Sequence, residues 1–518
     1  MKNFEYGAAH LSVGTALEIA NGHCTGILTP EVLDRVHASR RIVEEIAGGD
    51  EAVYGINTGF GPLCNTRIVP KDTVTLQYNI LKSHSVGVGE PVPLHIARLM
   101  LVLKVQSLAQ GYSGVHAATL QRIIWHIEKD IIPYVPKQGS VGASGDLAPL
   151  AHLFLPLIGL GQVWYNNQWT DTGQMMQQEG IAPIELGSKE GLALINGTQF
   201  IAAFGVEVTA RLQGVLSHAD LIASMMLDGL LGSATPFRPE VHQLRPYAGN
   251  KHVALRMAKL LQDSEMVKSH EHCNRVQDPY SLRCIPQVHG ASRNAWLHLK
   301  DMITIEINSV TDNPLILPNG ESISAGNFHG QPMALPLDYA CLAASEVGNI
   351  SDRRIYLSLT GIANNVPRLL MKDTGLNSAF MMPQYTAAAL ASENKTFCFP
   401  ASADSIPTSL GQEDHVSMGS ISGRKALRVV ENVEKILSVE LLHAAQAFDF
   451  QQPLKSGKVI NDMYHYVRTK IDHADTDRVF ATDIATAHDI IRSGALLDIS
   501  RSENAIATPF DEQFESLY

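Results

Sequence analysis

The residues with the clearest chemical potential lie in QGSVGASGDLAPLAH, residues 138–152, where one serine stands among residues with almost no side chain. Glycine adopts backbone conformations that other residues avoid, so the cluster around Ala143-Ser144-Gly145 predicts a turn or a close approach of the backbone. A nucleophilic serine of a hydrolase would stand in G-x-S-x-G between a strand and a helix. Here the second glycine comes one position early and no strand is predicted before it, which disfavours that interpretation.

The tripeptide can instead act as a reagent. If the amide nitrogen of Gly145 attacks the carbonyl carbon of Ala143, a five-membered ring closes. Loss of two waters, one of them with the Ser144 hydroxyl, then leaves an exocyclic methylidene group. That group is an electrophile, which ordinary side chains do not supply. The residue types suit this chemistry, because alanine is small, serine can dehydrate and glycine has no Cβ to hinder closure.

A second group of reactive residues lies in RVQDPYSLRC, residues 275–284. Asp278 and Pro279 have the pattern of an N-cap and first helical residue, which would place Tyr280 and Arg283 on one helix face. A guanidinium can hold a carboxylate bidentately, and a nearby cation lowers the pKa of a tyrosine, whose phenolate could then remove a proton. Spacing alone favours a simpler alternative, a capped helix with a buried tyrosine and a surface arginine.

Five further residues have ordinary structural explanations when taken one at a time. These are Tyr54 packed beside a glycine turn, His84 on an apolar helix face, Asn196 in an Asn-Gly turn, Phe328 in the core and Glu413 in a solvated loop. A possible metal cluster, His270, His272 and Cys273 in SHEHC, matches no common ligand spacing and is interpreted as coincidental.

The elements that must position these residues are mainly helical. Apolar residues recur at helical spacing through residues 422–450, and similar patterns cover Ile96–Gln110, Gln199–Leu231 and Asp338–Leu359. Alternation typical of strands is short, as in QVWYNNQW. The pattern predicts a mainly α protein with an N-terminal part, residues 1–200, that carries the Ala-Ser-Gly tripeptide, and a long-helix core, residues 201–518.

The amino-acid composition limits the kinds of molecule that the protein is expected to bind. Of 518 residues, 45% are hydrophobic and 18% charged, as in an ordinary globular protein, and the net charge of −12 disfavours nucleic acid or an anionic membrane as partner. Residues 147–170 lack Asp, Glu, Lys and Arg but are interrupted by prolines and polar residues, so a buried segment is expected rather than a membrane span. Six scattered cysteines and an N-terminus without a signal-peptide pattern predict a cytoplasmic protein.

Several motifs, in order, cover most of the chain. They are YGINTGFGPL, LQYNILKSHSVGVGEP, GSVGASGDLAPLAH, EGLALINGTQ, RVQDPYSLRCIPQVHG, TDNPLI, GNFHG and SLGQEDHVSMG. In these motifs the chain closely resembles the aromatic amino acid ammonia-lyase family. The resemblance implies a bundle of the fumarase/aspartase-like type, and a 4-methylidene-imidazol-5-one (MIO) group formed autocatalytically from Ala143, Ser144 and Gly145. It implies no external cofactor and no metal.

The resemblance also implies roles for the residues that match the family's motifs. Tyr54 would assist proton transfer and ammonia departure, and Asn196 would donate a hydrogen bond to the ring and the substrate. Tyr280 would be the base that removes the β-proton, and Arg283 would anchor the substrate carboxylate. For residues 278–283 the resemblance therefore favours these catalytic roles over the capped helix that spacing alone favours.

The substrate pocket follows from the same resemblance. His84, Phe328 and Glu413 would line it, and relatives acting on tyrosine or phenylalanine tend to carry His-Leu or Phe-Leu in place of Ser83-His84. The implied reaction is therefore deamination of L-histidine to trans-urocanate, in a homotetramer whose active sites are shared between subunits. The alternatives are a tyrosine or phenylalanine ammonia-lyase, an aminomutase with the same group, and a catalytically silent structural homologue.

Overall fold

The computed structural model describes residues 2–272, 275–363, 365–502 and 505–518, and it is dominated by helices. In chain order, the α-helices within these residues are α1 (Val13–Ala20), α2 (Pro30–Gly48), α3 (Pro70–His84), α4 (Leu94–Leu108), α5 (Ala117–Glu128), α6 (Leu147–Phe154), α7 (Thr172–Glu179), α8 (Glu190–Ile195), α9 (Gln199–Gly229), α10 (Pro239–Gln243), α11 (Ala248–Leu260), α12 (Glu265–Ser269), α13 (Tyr280–Arg283), α14 (Ile285–Glu306), α15 (Gln331–Ser358), α16 (Met381–Phe397), α17 (Gly419–Asp449), α18 (Lys458–Arg468), α19 (Phe480–Ser493), α20 (Ala495–Arg501) and α21 (Asp511–Phe514).

Strands are short and peripheral. They are β1 (Lys2–Glu5), β2 (Cys24–Ile27), β3 (Val88–Pro91), β4 (Ile132–Pro133), β5 (Pro136–Gln138), β6 (Gln162–Tyr165), β7 (Gln168–Asp171), β8 (Leu315–Ile316) and β9 (Ser322–Ile323). β1 pairs with β2 in parallel, while β3–β5, β4–β6–β7 and β8–β9 are antiparallel. The β6–β7 hairpin confirms the strand prediction for QVWYNNQW.

The centre of the molecule is a bundle of long helices. α9 packs against α17, α17 against α15, and α15 against α14. α9 and α17 each contain 31 residues, so each extends roughly 45 Å at about 1.5 Å per residue. A helix that is apolar on more than one face is stable in water only when neighbours cover it on all sides, which is the position of α9. These helices form the mainly α core that the sequence predicts.

The predicted helical segments agree with the observed bounds at most ends. The predicted segment 422–450 lies in α17 except for its last residue, Gln199–Leu231 corresponds to α9, and Ile96–Gln110 to α4. The segment predicted from Asp338 begins earlier, because α15 starts at Gln331 and continues through Pro336. Proline lacks the amide hydrogen of a helix donor, so sequence patterns place the start of such a helix too late.

The N-terminal part and the long helices share one hydrophobic core. This core extends along the chain from Phe4 to Phe514, and α4 packs directly on α9. α9 begins at Gln199, next to the boundary predicted at residue 200. The tripeptide-bearing part is therefore fixed against the bundle at the N-terminal end of α9.

One helix within the described residues, α9, is long and apolar enough to cross a membrane. Its most apolar window is 83% buried inside the protein, as expected for the central helix of a bundle. The uncharged segment 147–170 forms α6, a short 3-10 turn at Leu155–Ile158 and the β6–β7 hairpin.

Candidate active site

The Ala143-Ser144-Gly145 tripeptide forms a tight turn between β5 and α6. A short strand therefore does precede the serine, contrary to the sequence prediction, because β5 gains its pairing from the distant β3. The backbone φ angles of Gly142, Ser144 and Gly145 are +84°, +50° and +81°. Such angles cost little for glycine but strain a serine, so the surrounding structure must hold Ser144 in this conformation.

The turn is held by the peptide that precedes α9. The amide of Gly197 donates to the Ser144 carbonyl oxygen at 3.3 Å, and the amide of Asp146 donates to the Gly197 carbonyl oxygen at 2.8 Å. A Cβ atom on Gly145 would lie 2.1 Å from that Gly197 oxygen, and one on Gly142 would lie 2.2 Å from the Ser417 Oγ. Glycine at both positions permits a backbone approach that any side chain would prevent.

Asp146 connects the turn to the first turn of α9. Its carboxylate is fully buried and accepts hydrogen bonds from the Ile201 amide at 2.9 Å and from the Ser140 hydroxyl at 3.4 Å. Burial raises the pKa of Asp146 to about 7, although the amides of Ile201 and Phe200 act in the opposite direction. A carboxylate at a helix N-terminus compensates the unpaired amides and the helix dipole, which fixes α9 relative to the turn.

The Ser144 side chain faces two adjoining cavities of about 470 and 460 Å³. Tyr54, Ser144 and Glu413 line both cavities, His84 lines the first, and Phe328 lines the second. These five residues come from widely separated parts of the chain. Together they form a cavity in which polar groups converge beside apolar side chains, which is the arrangement expected for a small-molecule site.

Glu413 is a carboxylate that contacts the tripeptide directly. Ser144 donates its hydroxyl to Glu413 Oε1 at 3.3 Å, while Thr408 and Ser409 donate theirs to Glu413 Oε2 at 2.9 and 2.7 Å. The carboxylate of this half-buried residue is thus held in one orientation on a mostly exposed loop. The default expectation of a freely solvated glutamate is wrong for this residue.

Burial shifts the pKa values of two further groups that line the cavities, the His84 imidazole and the Tyr54 phenol. The pKa of His84 is lowered, mainly by burial, and its Nδ1 lies 3.0 Å from the Ser83 hydroxyl. The pKa of Tyr54 is raised, mainly by burial and further by the Glu413 charge. At neutral pH the cavity therefore presents a neutral imidazole and a protonated phenol.

Asn196 is almost fully buried at the C-terminal end of α8 and is not among the residues that line either cavity. Its Nδ2 donates to the Asn313 carbonyl at 3.1 Å, and its own carbonyl accepts from Lys104 Nζ at 2.5 Å. Its side-chain oxygen has no hydrogen-bond partner within the described residues. Asn196 reaches the tripeptide through the adjoining Gly197 peptide, and its predicted role as donor to the ring stays a prediction.

Tyr280 and Arg283 lie apart from the Ser144 cavities. Tyr280 is 71% exposed, so the alternative of a buried tyrosine is wrong, and the Arg283 guanidinium carbon lies 4.5 Å from the centre of its ring. The N-cap of α13 is Pro279, with extended backbone, and not Asp278 as predicted. Asp278 accepts instead from the Ser233 amide at 2.6 Å.

His270 of SHEHC is engaged in local structure. The His270 ring nitrogens lie 2.7 and 3.1 Å from the carbonyl oxygens of Met266 and Gly232. Cys273 lies outside the described residues. The interpretation of this cluster as coincidental stays a prediction.

Sequence reasoning missed several residues around the tripeptide. Thr408 and Ser409 orient Glu413, Asn313 accepts from Asn196, and Lys104 binds the Asn196 carbonyl. Of these, Lys104 leaves a visible signal, because it is the single charged residue in the apolar stretch from Leu99 to Leu108. A lysine in the middle of a buried helix needs a polar partner in the folded protein.

A bundle of long helices that presents an Ala-Ser-Gly turn to a tyrosine, a histidine and a carboxylate defines a helical lyase of the fumarase/aspartase-like class. Comparison with known families agrees, since residues 11–469 match the family described as aromatic amino acid lyase. The chain belongs to this family and is a carbon–nitrogen lyase.

Similar proteins extend over nearly the whole chain. A histidine ammonia-lyase from Myxococcus xanthus is 46% identical over 96% of this chain and 98% of its own, and one from Bos taurus is 42% identical over 97% and 77%. Among solved structures, histidine ammonia-lyase from Trypanosoma cruzi aligns with a TM-score of 0.91 at 39% identity, covering 100% of this chain and 97% of that one. Tyrosine aminomutase from Streptomyces globisporus aligns with a TM-score of 0.90 at 34% identity, covering 97% and 99%.

Proposed function

We propose that this protein is a histidine ammonia-lyase that converts L-histidine to trans-urocanate and ammonia. The observation that carries the proposal is the shared cavity, where the Ser144 turn meets the neutral imidazole of His84 and the carboxylate of Glu413. A neutral imidazole can exchange hydrogen bonds with the imidazole of a histidine substrate, whereas an apolar pocket suits phenylalanine. Relatives named histidine ammonia-lyase at 42–46% identity support the same substrate.

The MIO group is proposed to form from Ala143, Ser144 and Gly145. The fit rests on Gly142 and Gly145, whose missing Cβ atoms leave room for the backbone, and on the positive φ that Ser144 already adopts. Once formed, the group supplies an electrophilic carbon that makes the substrate amine a better leaving group. No external cofactor is required for that chemistry.

The cavity residues have distinct proposed tasks. His84 binds the substrate imidazole, Phe328 forms an aromatic wall, and Glu413 accepts from the substrate amino group or ring. Tyr54 remains protonated and can pass a proton to the departing amine, because burial and the Glu413 charge oppose its ionisation. Asn196 is proposed to donate to the ring carbonyl after its amide leaves Asn313.

Tyr280 and Arg283 are proposed to serve the site of a neighbouring subunit in a homotetramer. Tyr280 as base and Arg283 as carboxylate anchor would have to reach a substrate, yet in their own chain they line clefts away from Ser144. A partner surface is available on α15, whose outer face exposes large side chains at helical spacing. These are Leu335, Tyr339, Leu342 and Tyr356.

The organisation and location of the protein follow the same proposal. Residues 1–200 would form the MIO-bearing domain and residues 201–518 the long-helix domain, a division supported by the start of α9 at Gln199. A cytoplasmic location is supported by the free cysteines among the described residues, which are Cys24, Cys64, Cys284, Cys341 and Cys398.

The direct test is incubation of the purified protein with L-histidine, L-tyrosine or L-phenylalanine, each in a separate reaction. We expect urocanate absorbance to rise with L-histidine only. Turnover of L-tyrosine to a cinnamate or a β-amino acid, without urocanate, would overturn the substrate in favour of a tyrosine lyase or aminomutase. Intact mass separates a silent homologue, because an uncyclised chain retains the mass of two waters.

A further inference from the structure

Lys104 is a buried cation beside the proposed active site that the reaction as outlined does not use. It lies in the middle of α4 with 1% of its surface exposed. Its Nζ donates to the Asn196 carbonyl oxygen at 2.5 Å and to Gln199 Oε1 at 3.4 Å. Lysine is almost never fully buried unless it is paired, so this position calls for a specific reason.

The hydrogen-bond partners that hold Lys104 in this buried position are not carboxylates. The Asp312 carboxylate accepts instead from Lys189 Nζ at 2.6 Å, and the Asp146 carboxylate is bound to the start of α9. Both hydrogen bonds of Lys104 within the described residues go to amide oxygens. Burial lowers the pKa of Lys104 to about 7; the charges of Asp312 and Asp146 favour the protonated form, and the charge of Lys189 opposes it.

The carbonyl that Lys104 binds belongs to the peptide between Asn196 and Gly197. The amide hydrogen of that same peptide donates to the Ser144 carbonyl oxygen at 3.3 Å. A cation on the oxygen of a peptide group polarises the group and strengthens its N–H as a donor. Lys104, one peptide group and the Ser144 carbonyl therefore form a continuous line of polar contacts.

We propose that Lys104 is a positioning residue that holds the Asn196–Gly197 peptide against Ser144 and transmits positive charge through it to the Ser144 carbonyl oxygen. This inference rests on the proposed function, in which that oxygen becomes the carbonyl of the MIO ring. Negative charge that develops on the oxygen is then stabilised from outside the substrate cavity. The same contact explains why α4, α8 and the start of α9 must pack together at this point.

The test compares Lys104→Met with Gln106→Leu in the full-length protein. Gln106 is a matched control, because it is also buried on α4 but accepts from the Gly7 amide at 2.9 Å, away from Asn196. Intact mass, near-ultraviolet absorbance of the ring, kcat and KM for L-histidine, and melting temperature are measured for both. Lys104→Arg tests rescue by charge, and Lys104→Gln replaces Lys104→Met if the latter does not fold.

We expect Lys104→Met to retain the two-water mass deficit, shift the ring absorbance and lower kcat roughly 10- to 100-fold, with KM changed less than about threefold. This loss is smaller than the roughly 10²–10³-fold cost of removing a direct oxyanion donor. We expect Gln106→Leu to change melting temperature only, and Lys104→Arg to recover most of kcat. A folded Lys104→Met variant without the mass deficit would also support the inference, since the same peptide holds Ser144 before closure.

Equal kcat and ring absorbance in Lys104→Met and Gln106→Leu would overturn the inference. That result differs from failure of the proposed function, which would appear in the wild-type protein as a full uncyclised mass or as no urocanate.

Discussion

The Ser144 hydroxyl donates to Glu413 Oε1 at 3.3 Å, joining two residues that are 269 positions apart in the chain. This contact brings the Ala-Ser-Gly turn beneath the loop that precedes α17. The Glu413 carboxylate is held from its other side by Thr408 and Ser409, so it points at the tripeptide and not into solvent. An acceptor fixed in this place is suited to bind a substrate amine next to the proposed electrophile.

Replacing Glu413 by glutamine tests the carboxylate without changing its size. We expect Glu413→Gln to lower kcat/KM for L-histidine by roughly 10²-fold, as is usual for a group that binds or transfers protons in the transition state. The two-water mass deficit should persist, since Glu413 contributes no atom to the ring. Steady-state kinetics and intact mass measure the two effects. Asp414→Asn is the control, because Asp414 is an exposed acid on the same loop, and an equal loss there would contradict the role of Glu413.

Replacing Ser144 by alanine removes the hydroxyl that the proposed dehydration requires. We expect Ser144→Ala to lose at least about 10³-fold in kcat, because an electrophile contributes more than one oxyanion donor. The variant should keep its melting temperature and show no second water loss by mass spectrometry. Ser224→Ala provides the comparison for loss of a serine hydroxyl, since Ser224 bonds only within α9. Full activity in Ser144→Ala would rule out the ring.

Gly145→Ala tests whether the close backbone approach is needed. Its added Cβ would meet the Gly197 oxygen at 2.1 Å, and its φ is +81°. Gly22 has a similar φ of +73° with nothing within 4 Å of its Cβ position. We expect Gly22→Ala to cost about 1 kcal/mol in the free energy of unfolding from the strained φ alone.

Gly145→Ala should cost more than Gly22→Ala and should also abolish ring formation, since Gly197 would have to move away from Ser144. Urea unfolding and intact mass report the two effects separately. Equal stability in the two variants, with a complete mass deficit in both, would show that the contact with Gly197 is dispensable.

The Ser83-His84 pair tests substrate choice. We expect Ser83→Phe combined with His84→Leu to lower kcat/KM for L-histidine by roughly 10²-fold, because a polar substrate ring would lose its hydrogen-bond partner in a buried pocket. Turnover of L-phenylalanine should rise from its wild-type level. Parallel assays on both substrates make the measurement. An unchanged preference for L-histidine would show that His84 does not recognise the substrate ring.

A pH dependence of stability follows from Glu434 on α17. Although burial alone would raise it, the nearby His488 ring and the hydrogen bonds from Arg211 lower the pKa of Glu434 to about 2. Because the folded-state pKa is lowered, the stabilisation is complete above about pH 4.5 and declines as the pH falls toward 2. The shift corresponds to about 3 kcal/mol, of which roughly half is lost by pH 3.

We therefore expect Glu434→Gln to lower the free energy of unfolding by about 3 kcal/mol at pH 7 and by roughly half as much at pH 3. Urea titrations at both pH values and one protein concentration provide the measurement. Glu431→Gln is the matched control, as Glu431 also contacts Arg211 but is 34% exposed. A deficit for Glu434→Gln that is the same at both pH values would contradict the assigned pKa.

The long helices could be predicted because their pattern is local. α17 and α9 each carry apolar residues at helical spacing over about 30 residues, and such spacing requires a helix whatever its neighbours are. Predictions that depended on short segments were less accurate. Asp278 was expected to cap α13, but Pro279 takes that position, since a four-residue helix is determined more by its packing than by its own sequence.

By itself the sequence determined the helical class, the Ala-Ser-Gly tripeptide and the motifs of the aromatic amino acid lyase family, because each depends on residue types at fixed local spacing. Only the tertiary structure decided which side chains meet that tripeptide. Glu413 and the Gly197 amide contact it from distant elements, Lys104 is connected to it through the Asn196–Gly197 peptide, and no periodicity in the chain encodes a contact between elements that are far apart in sequence. Hydrophobic burial of α4, α9 and α17 in one core brings these polar groups together around Ser144.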